Sequence, residues 1–364
     1  MKISIITHPL WGNYGGMLQA YALQTALQDS SSIEAEVKHG NHPQLNLLDY
    51  LKFTLRKLQL SIGFTSPRTP IHTRLILDMA ESFCTRHIEC SDGVNIDKYV
   101  VGSDQVWRKS AADYIGGIKQ FFLDFATKEQ RNRSIAYAAS FGTNEWEGTP
   151  EETEVCGRML REFKAVSVRE HSGVAICRNI FEVEAVQMPD PTLLLHTNDY
   201  DKIIERENTW FPESKYVAAY VLDETPRKAE LLQGITNPLN LQLQHLMPHA
   251  TATKRRDRFP ISVPQWLRLI RGCEYFITDS FHGCVFAIIF NKPFVCLGNA
   301  GRGNARFDTL LGTFGLEDRL ITDATPEKII QVLNTPIDWV RVNEIHDAER
   351  ERGINFLKDN LSGS

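Results

Sequence analysis

Short apolar runs rich in β-branched and aromatic residues recur along the chain, and most of them stop at small or polar residues. Residues 3–7, 33–37, 99–101, 135–139, 165–168 and 186–188 read as strands in the first part of the chain. Residues 216–221, 241–246, 275–278 and 294–297 do so in the second. Between them the apolar positions shift to a helical period. Leu18, Ala22 and Ala26 mark a helix over 17–27, and further helices are predicted at 45–60, 266–271, 284–290, 310–314, 326–333 and 337–361. Residues 61–75, with Gly63, Pro67 and Pro70, read as a surface loop. Alternation of strand and helix is the pattern of parallel sheets covered by helices.

The strand ends carry the polar chemistry. One strand runs into Gly102-Ser103-Asp104-Gln105, another into Ser140-Phe141-Gly142, and later ones into Arg169-Glu170 and Asp190-Pro191-Thr192. Open α/β sheets bind ligands at the carboxyl ends of their strands, so these endings point to one crevice. The second strand set predicts a second α/β half. The expected fold is therefore α/β with two Rossmann-like domains facing across a cleft, a glycosyltransferase-B-like arrangement. Residues 1–200 would form the first domain, carrying Arg169. Residues 201–335 would form the second, and 336–364 a helix packing back across the domains.

One stretch, 274–294, reads EYFITDSFHGCVFAIIFNKPF: strand, polar turn, buried helix, then a stop at Asn291-Lys292-Pro293. Ser280 is of a helix-capping type. The free N–H groups of such a helix start attract anions, and His282 at that point can hold a charged group or pass a proton. The plain alternative is a capped core helix whose histidine bonds the turn. Near the amino terminus, Asn13, Tyr14, Gly15 and Gly16 open the first helix, and the two glycines allow close backbone approach to a ligand. They do not form the dinucleotide pattern GxGxxG, and a simple helix-entry turn is the alternative.

Composition narrows the functional classes. With 364 residues, 42% hydrophobic and 23% charged, the chain fits two ordinary globular domains. A net charge of −5 argues against a nucleic-acid partner. Seven scattered cysteines suggest reduced thiols and a cytoplasmic protein, and the opening apolar run is too short for a signal peptide. His8, His39 and His42 lack acidic or cysteine partners at metal-binding spacing, so no metal is expected. Residues 45–60 are expected to place Leu48, Leu51, Leu55 and Leu58 on one helix face and Lys52, Arg56 and Lys57 on the other. That helix can pack on the first domain or lie peripherally at a membrane surface.

In order along the chain stand NYGGMLQAYALQ (13–24), VGSDQVW (101–107), YAASFG (137–142), SVRE (167–170), DPTLLL (190–195), ITDSFHG (277–283) and NARFDTLLGTFGLEDR (304–319). Together these motifs resemble the polysaccharide pyruvyl transferase family. The resemblance implies transfer of an enolpyruvyl-derived unit from phosphoenolpyruvate to a sugar, as a pyruvate ketal. The acceptor would be a surface polysaccharide, exopolysaccharide or capsule, or its lipid-linked precursor, met in the cytoplasm or at the inner face of the membrane. No cofactor is implied beyond the donor. His282 would be the acid and Asp104 the residue that orients or deprotonates the acceptor. Substrate contacts would come from Arg169, Arg306, Ser280, Phe281, Gly283, Asn13, Tyr14, Gly15, Gly16, Ser103, Gln105 and Ser140.

The sequence departs from the family at one point. Where members resemble Arg, apolar, His, Gly, this chain has Ser280, Phe281, His282, Gly283. Either another cation meets the donor, with Arg169 and either Arg306 or Arg302 as candidates, or the donor differs; Arg169 and Arg306 are expected to face each other across the cleft. The resemblance also implies the acceptor on the side of the first domain and the donor on the side of the second. Two rivals remain. One is a glycosyltransferase of the same fold, using Asp104 and the basic loop 254–258 for a nucleotide sugar. The other is a non-catalytic relative.

Overall fold

The computed structural model describes residues 1–29, 33–38, 47–62, 70–90, 93–249, 255–298 and 304–361. His39, His42, Gly63, Pro67, Lys254 and Arg302, singled out above, lie outside them.

The first half runs β1 (Lys2–Ile6), α1 (Tyr14–Gln28), β2 (Glu34–Val37), α2 (Leu47–Ile62), α3 (Pro70–His87), β3 (Lys98–Val101), α4 (Lys109–Ala112), α5 (Lys128–Arg131), β4 (Ile135–Ala139), α6 (Pro150–Leu160), β5 (Ala165–Val168), α7 (His171–Phe181) and β6 (Val186–Gln187). After α8 (Thr197–Glu205), the second half runs β7 (Tyr216–Tyr220), α9 (Pro226–Leu239), β8 (Gln242–His245), α10 (Val263–Gly272), β9 (Tyr275–Thr278), α11 (Phe281–Ile289), β10 (Phe294–Leu297), α12 (Ala305–Phe314), β11 (Leu320–Ile321) and α13 (Pro326–Asn334). Helix α14 (Trp339–Leu361) closes the chain. Four strands, 135–139, 165–168, 275–278 and 294–297, coincide with the bounds read from sequence.

The strands form two sheets, ordered β2-β1-β3-β4-β5-β6 and β11-β10-β9-β7-β8. Every pairing is parallel, with Ile3 opposite both Ala35 and Lys98 in the first sheet and Val217 opposite both Leu243 and Tyr275 in the second. Parallel strands are covered on both faces, which is why β4 (IAYAA) and β10 (FVCL) are buried throughout. Each sheet reverses its order of addition once, between β1 and β3 and between β7 and β9. At such a point the flanking connections leave in opposite directions and open a crevice at the carboxyl ends.

The halves are joined by apolar packing. Tyr14 of α1 stacks on Trp266 of α10, with centroids 5.6 Å apart, and its hydroxyl donates to Ile261 O at 2.7 Å. Helix α14 returns to the first half, where Arg350 Nε donates to Leu194 O at 2.9 Å and Lys98 Nζ donates to Leu361 O at 2.9 Å. Gly353 makes that seat possible, since a Cβ there would lie 2.4 Å from Tyr137 Oη.

One sequence reading is corrected. Residues 61–75 are not one loop, because Ser61 and Ile62 end α2 and Pro70–Leu75 begin α3. Proline suits the first turn of a helix, where no N–H partner is lost.

The switch in the second sheet is tied by Asp279. Its carboxylate accepts from Leu222 N at 2.7 Å, Asp223 N at 3.0 Å and Lys228 Nζ at 2.7 Å, joining the exits of β7 and β9. Asp279→Ala leaves a half-buried lysine and two amides unpaired, so it should lower the unfolding free energy by about 3 kcal/mol. A urea titration measures this, and a loss under about 0.5 kcal/mol would place the residue with ordinary surface positions.

Candidate active site

The first half supplies a buried charge cluster. Arg169, at the exit of β5, is buried and donates from Nη1 to Asp190 Oδ2 at 2.6 Å. Its Nη2 lies 3.8 Å from Asp104 Oδ1. Asp104 follows β3 with φ +63°, a left-handed conformation that aspartate tolerates better than most residues. Its Oδ2 accepts from Asn13 Nδ2 at 3.1 Å and its Oδ1 from Gln105 N at 2.9 Å. Asp190 opens a short 3-10 turn over Pro191–Leu194, and its Oδ1 accepts from Thr192 N at 3.0 Å and Thr192 Oγ1 at 2.6 Å.

The second half supplies the other wall. Ser280 caps α11 through a bond from Gly283 N to its Oγ at 3.3 Å. The cap sets Phe281 and His282 on the first turn, facing the first half. The guanidinium of Arg169 sits 4.6 Å from the Phe281 ring centroid, and that of Arg306, from α12, sits 5.7 Å from it. Two cations from opposite halves thus share one aromatic ring. His282 Nε2 is 3.4 Å from Asp190 Oδ2, within ion-pair range. Beneath it lies Gly15, where any Cβ would come 2.0 Å from His282 Nδ1. At Gly16 a Cβ would crowd Asn13 Nδ2 at 3.0 Å. The glycine pair therefore clears space for the site's own side chains.

The electrostatics follow from burial. Desolvation pushes Asp190 up, yet His282 and Arg169 outweigh it and hold the carboxyl well below the usual aspartate range. Asp104 is likewise lowered, because His8, Arg169, His282 and Arg306 overcome its burial. Arg169 is raised, since Asp190, Asp104 and Glu170 more than offset burial. Arg306 goes the other way. Burial first, and the neighbouring Arg169 second, bring it down to about 10. Arg306 Nε and Arg169 Nε are buried donors with no hydrogen-bond partner within the protein, and Arg169 Nη2 and His282 Nε2 meet carboxylates only at ion-pair distance. Such groups cost free energy unless something accepts from them.

Asn13, Tyr14, Asp104, Gln105, Ser280, Phe281, His282 and Arg306 line one cleft of about 360 Å³. Arg169 sits behind Phe281 and Arg306, beside the same ring. Three sequence candidates turn inward instead. Ser103 is spent on Ala138 O, Gln19 Oε1 and Thr7 Oγ1. Ser140 bonds Glu170 Oε1 at 3.1 Å, and Gly283 is packed on Thr278, where a Cβ would meet Oγ1 at 2.4 Å. Their alternation along the strand ends, and the helix's own core contact, send them away from the cleft. Glu170 is a scaffold carboxylate, accepting from Phe141 N at 2.7 Å and Gly142 N at 3.2 Å. The residue that sequence reasoning left out of the site is Asp190. Its signal was the Asp-Pro-Thr turn at a strand end, which announces a capped turn but not the reach of its second oxygen. Among the described residues, no group of three or more His, Cys, Asp or Glu side chains could hold a metal ion.

A family model described as polysaccharide pyruvyl transferase matches residues 13–301. No curated relative matches the chain. Among solved structures, a UDP-GlcNAc 2-epimerase from Methanocaldococcus jannaschii superposes with TM-score 0.51 at 14% identity, over 100% of each chain. S. aureus MnaA, solved with UDP, gives TM-score 0.50 at 14% identity, covering 99% of this chain and 97% of that one. At such identity the likeness is one of fold, and it agrees with two Rossmann-like halves in the glycosyltransferase-B manner.

Two outcomes follow for the charges. Folding lowers the Arg306 pKa, so its charged form works against the fold at every pH below about 10. Arg306→Met should therefore raise the unfolding free energy at pH 7, by roughly 1–3 kcal/mol. A destabilised variant would mean that the cation is already compensated. Asp190 has the opposite sign. Its depressed pKa contributes stability that is complete above the unfolded value of 3.8 and fades as pH falls through the folded value. Asp190→Asn should be less stable than wild type at pH 7 by about 3 kcal/mol, with the gap closing below about pH 4. A gap independent of pH in acid titrations would refute this.

Proposed function

The chain belongs to the polysaccharide pyruvyl transferase family, and on that premise we propose that it uses phosphoenolpyruvate to form a pyruvate ketal on a sugar. The observation that carries this reading is the pairing of Arg169 and Arg306 on the Phe281 ring, next to a histidine held by a buried carboxylate. Phosphoenolpyruvate is small and carries two anionic groups. Arginine binds carboxylate or phosphate through parallel N–H donors, and the amino end of α11 adds its dipole. Arg306 is the stronger candidate for the donor, because no carboxylate lies within ion-pair distance of it among the described residues. Arg169 is already engaged by Asp190 and acts from behind. In this way a cation from α12 takes over the part that the family's arginine plays at the position of Ser280.

The chemistry needs one acid and one base. His282, as the imidazolium, gives a ring proton to the donor's methylene carbon, and the double-bond electrons form that C–H bond. The C2 carbon becomes electrophilic and an acceptor hydroxyl adds to it, its proton passing to Asp104. A second hydroxyl of the same sugar then replaces the phosphate at C2, and its proton passes to the now neutral His282. The C–O bond to phosphate breaks, and inorganic phosphate leaves with the electron pair. Asp190 keeps the imidazole oriented and, as a carboxylate, balances its positive form. No cofactor enters these steps. The acceptor is a saccharide, free or lipid-linked, of a surface polysaccharide, and the reaction takes place in the cytoplasm or at the inner membrane face.

The test is release of inorganic phosphate from phosphoenolpyruvate in the presence of saccharide acceptors. His282→Ala should reduce turnover by on the order of 10²-fold or more, with a melting temperature near that of wild type. Arg306→Gln should weaken donor binding by about 1.5–3 kcal/mol, seen as a higher donor KM. Thermal stabilisation by nucleotide sugars but not by phosphoenolpyruvate would instead favour a glycosyltransferase, and stabilisation by neither a non-catalytic relative.

A further inference from the structure

Helix α2 (Leu47–Ile62) presents an apolar stripe to solvent. Leu55 and Leu58 are each 59% exposed, and among the described residues they are the only large exposed hydrophobics spaced three or four apart in one helix. The helix is nonetheless docked. Leu60, two residues beyond Leu58 and on the opposite face, is 0% exposed and packs with Leu75 and Phe259. Arg258 Nη1 also donates to Ser61 O at 3.0 Å, fixing the end of α2 to the second half. The stripe is therefore not a core face waiting for its own domain, since the core-facing side of α2 is already satisfied.

Charge selects the occupant. Lys52 and Lys57 are exposed, and 47–62 contains Lys52, Arg56 and Lys57 against the single acid Asp49. A basic, leucine-striped helix on a chain of net charge −5 is matched to an anionic lipid surface, while the rest of the molecule is not. Two copies meeting through this stripe would bring like charges together, which opposes self-association. Ile76 and Pro260, next in sequence to Leu75 and Phe259, line the cleft, so the docked side of α2, that of Leu60, is the side turned toward the cleft, and the stripe faces away from it.

We propose that α2 is a membrane-docking helix, whose Leu55 and Leu58 enter an anionic bilayer surface with Lys52 flanking them at the headgroups and Lys57, on the far side of the helix, adding to the positive field. Docking of this kind needs no spanning segment; no helix among the described residues is long and apolar enough to cross a membrane. The inference does not depend on which donor the cleft takes.

Co-sedimentation of the full chain with vesicles tests it. Vesicles of equal phosphatidylglycerol and phosphatidylcholine should pull the protein down, and vesicles of phosphatidylcholine alone should do so far less. Binding should weaken with salt. Leu55→Ser with Leu58→Ser, and separately Lys52→Glu with Lys57→Glu, should each reduce binding by roughly tenfold or more. Because the substituted leucines are solvent-facing, these variants should keep the wild-type melting temperature and far-ultraviolet dichroism. Wild type that stays in the supernatant, or leucine and lysine variants that bind as wild type does, would overturn the proposal. So would concentration-dependent dimerisation abolished by the leucine pair, which would assign the stripe to a second copy.

Discussion

The carboxylate of Asp190 is the point on which the two halves agree. It is buried, bonded at 2.6 Å to Arg169 from its own half and 3.4 Å from His282 of the other. A buried carboxylate survives only when it is paired and hydrogen-bonded, and here Thr192 supplies the remaining donors. The orientation of His282 and Arg169 toward each other therefore depends on one side chain. Around that point the topology does the rest. Both sheets reverse their order where β1 meets β3 and where β7 meets β9, and the residues at those exits, Asp104 in the first half and the Asp279-Ser280 turn in the second, face one crevice.

The site also carries a cost that its surroundings do not remove. Four buried nitrogens, on Arg169, Arg306 and His282, make no hydrogen bond within the protein. Arg306 is brought down to about 10 by burial and by a second arginine. A chain selected for stability alone would fill this space with apolar side chains, as it does at the Tyr14–Trp266 contact nearby. Retaining two cations on one ring is the arrangement expected of a site built for an anion. The close seat of Gly15 under His282 belongs to the same economy of space, since even a methyl group there would displace the imidazole.

Much of this was legible in the sequence because it is local. Apolar runs of strand-forming residues located β4, β5, β9 and β10 to the residue, and Ser280 announced the start of α11 through its capping chemistry. The ordered motifs were specific enough to indicate the family, and the histidine, the two arginines and Asp104 all stand at the cleft or directly behind it. The two glycines read as points where a ligand could come close or as a helix-entry turn; what comes close to them is His282 and Asn13.

What the sequence could not determine was which polar strand ends face the same space. Ser103, Asp104 and Ser140 look alike in the sequence as residues after a strand, yet the serines bond inward and the aspartate faces the cleft. Asp190 reads as a turn residue, and only the strand order brings its free oxygen to Arg169 and His282. The leucine stripe of α2 posed the same difficulty. Period alone shows that a helix has an apolar face, but not whether that face meets protein or solvent. That was decided by Leu60 and its partners on the opposite side, contacts made with residues distant in the chain. Periodicity and capping report the environment of a few neighbouring residues. Convergence and exposure depend on how parallel strands are ordered and how helices are seated, so they belong to the tertiary structure.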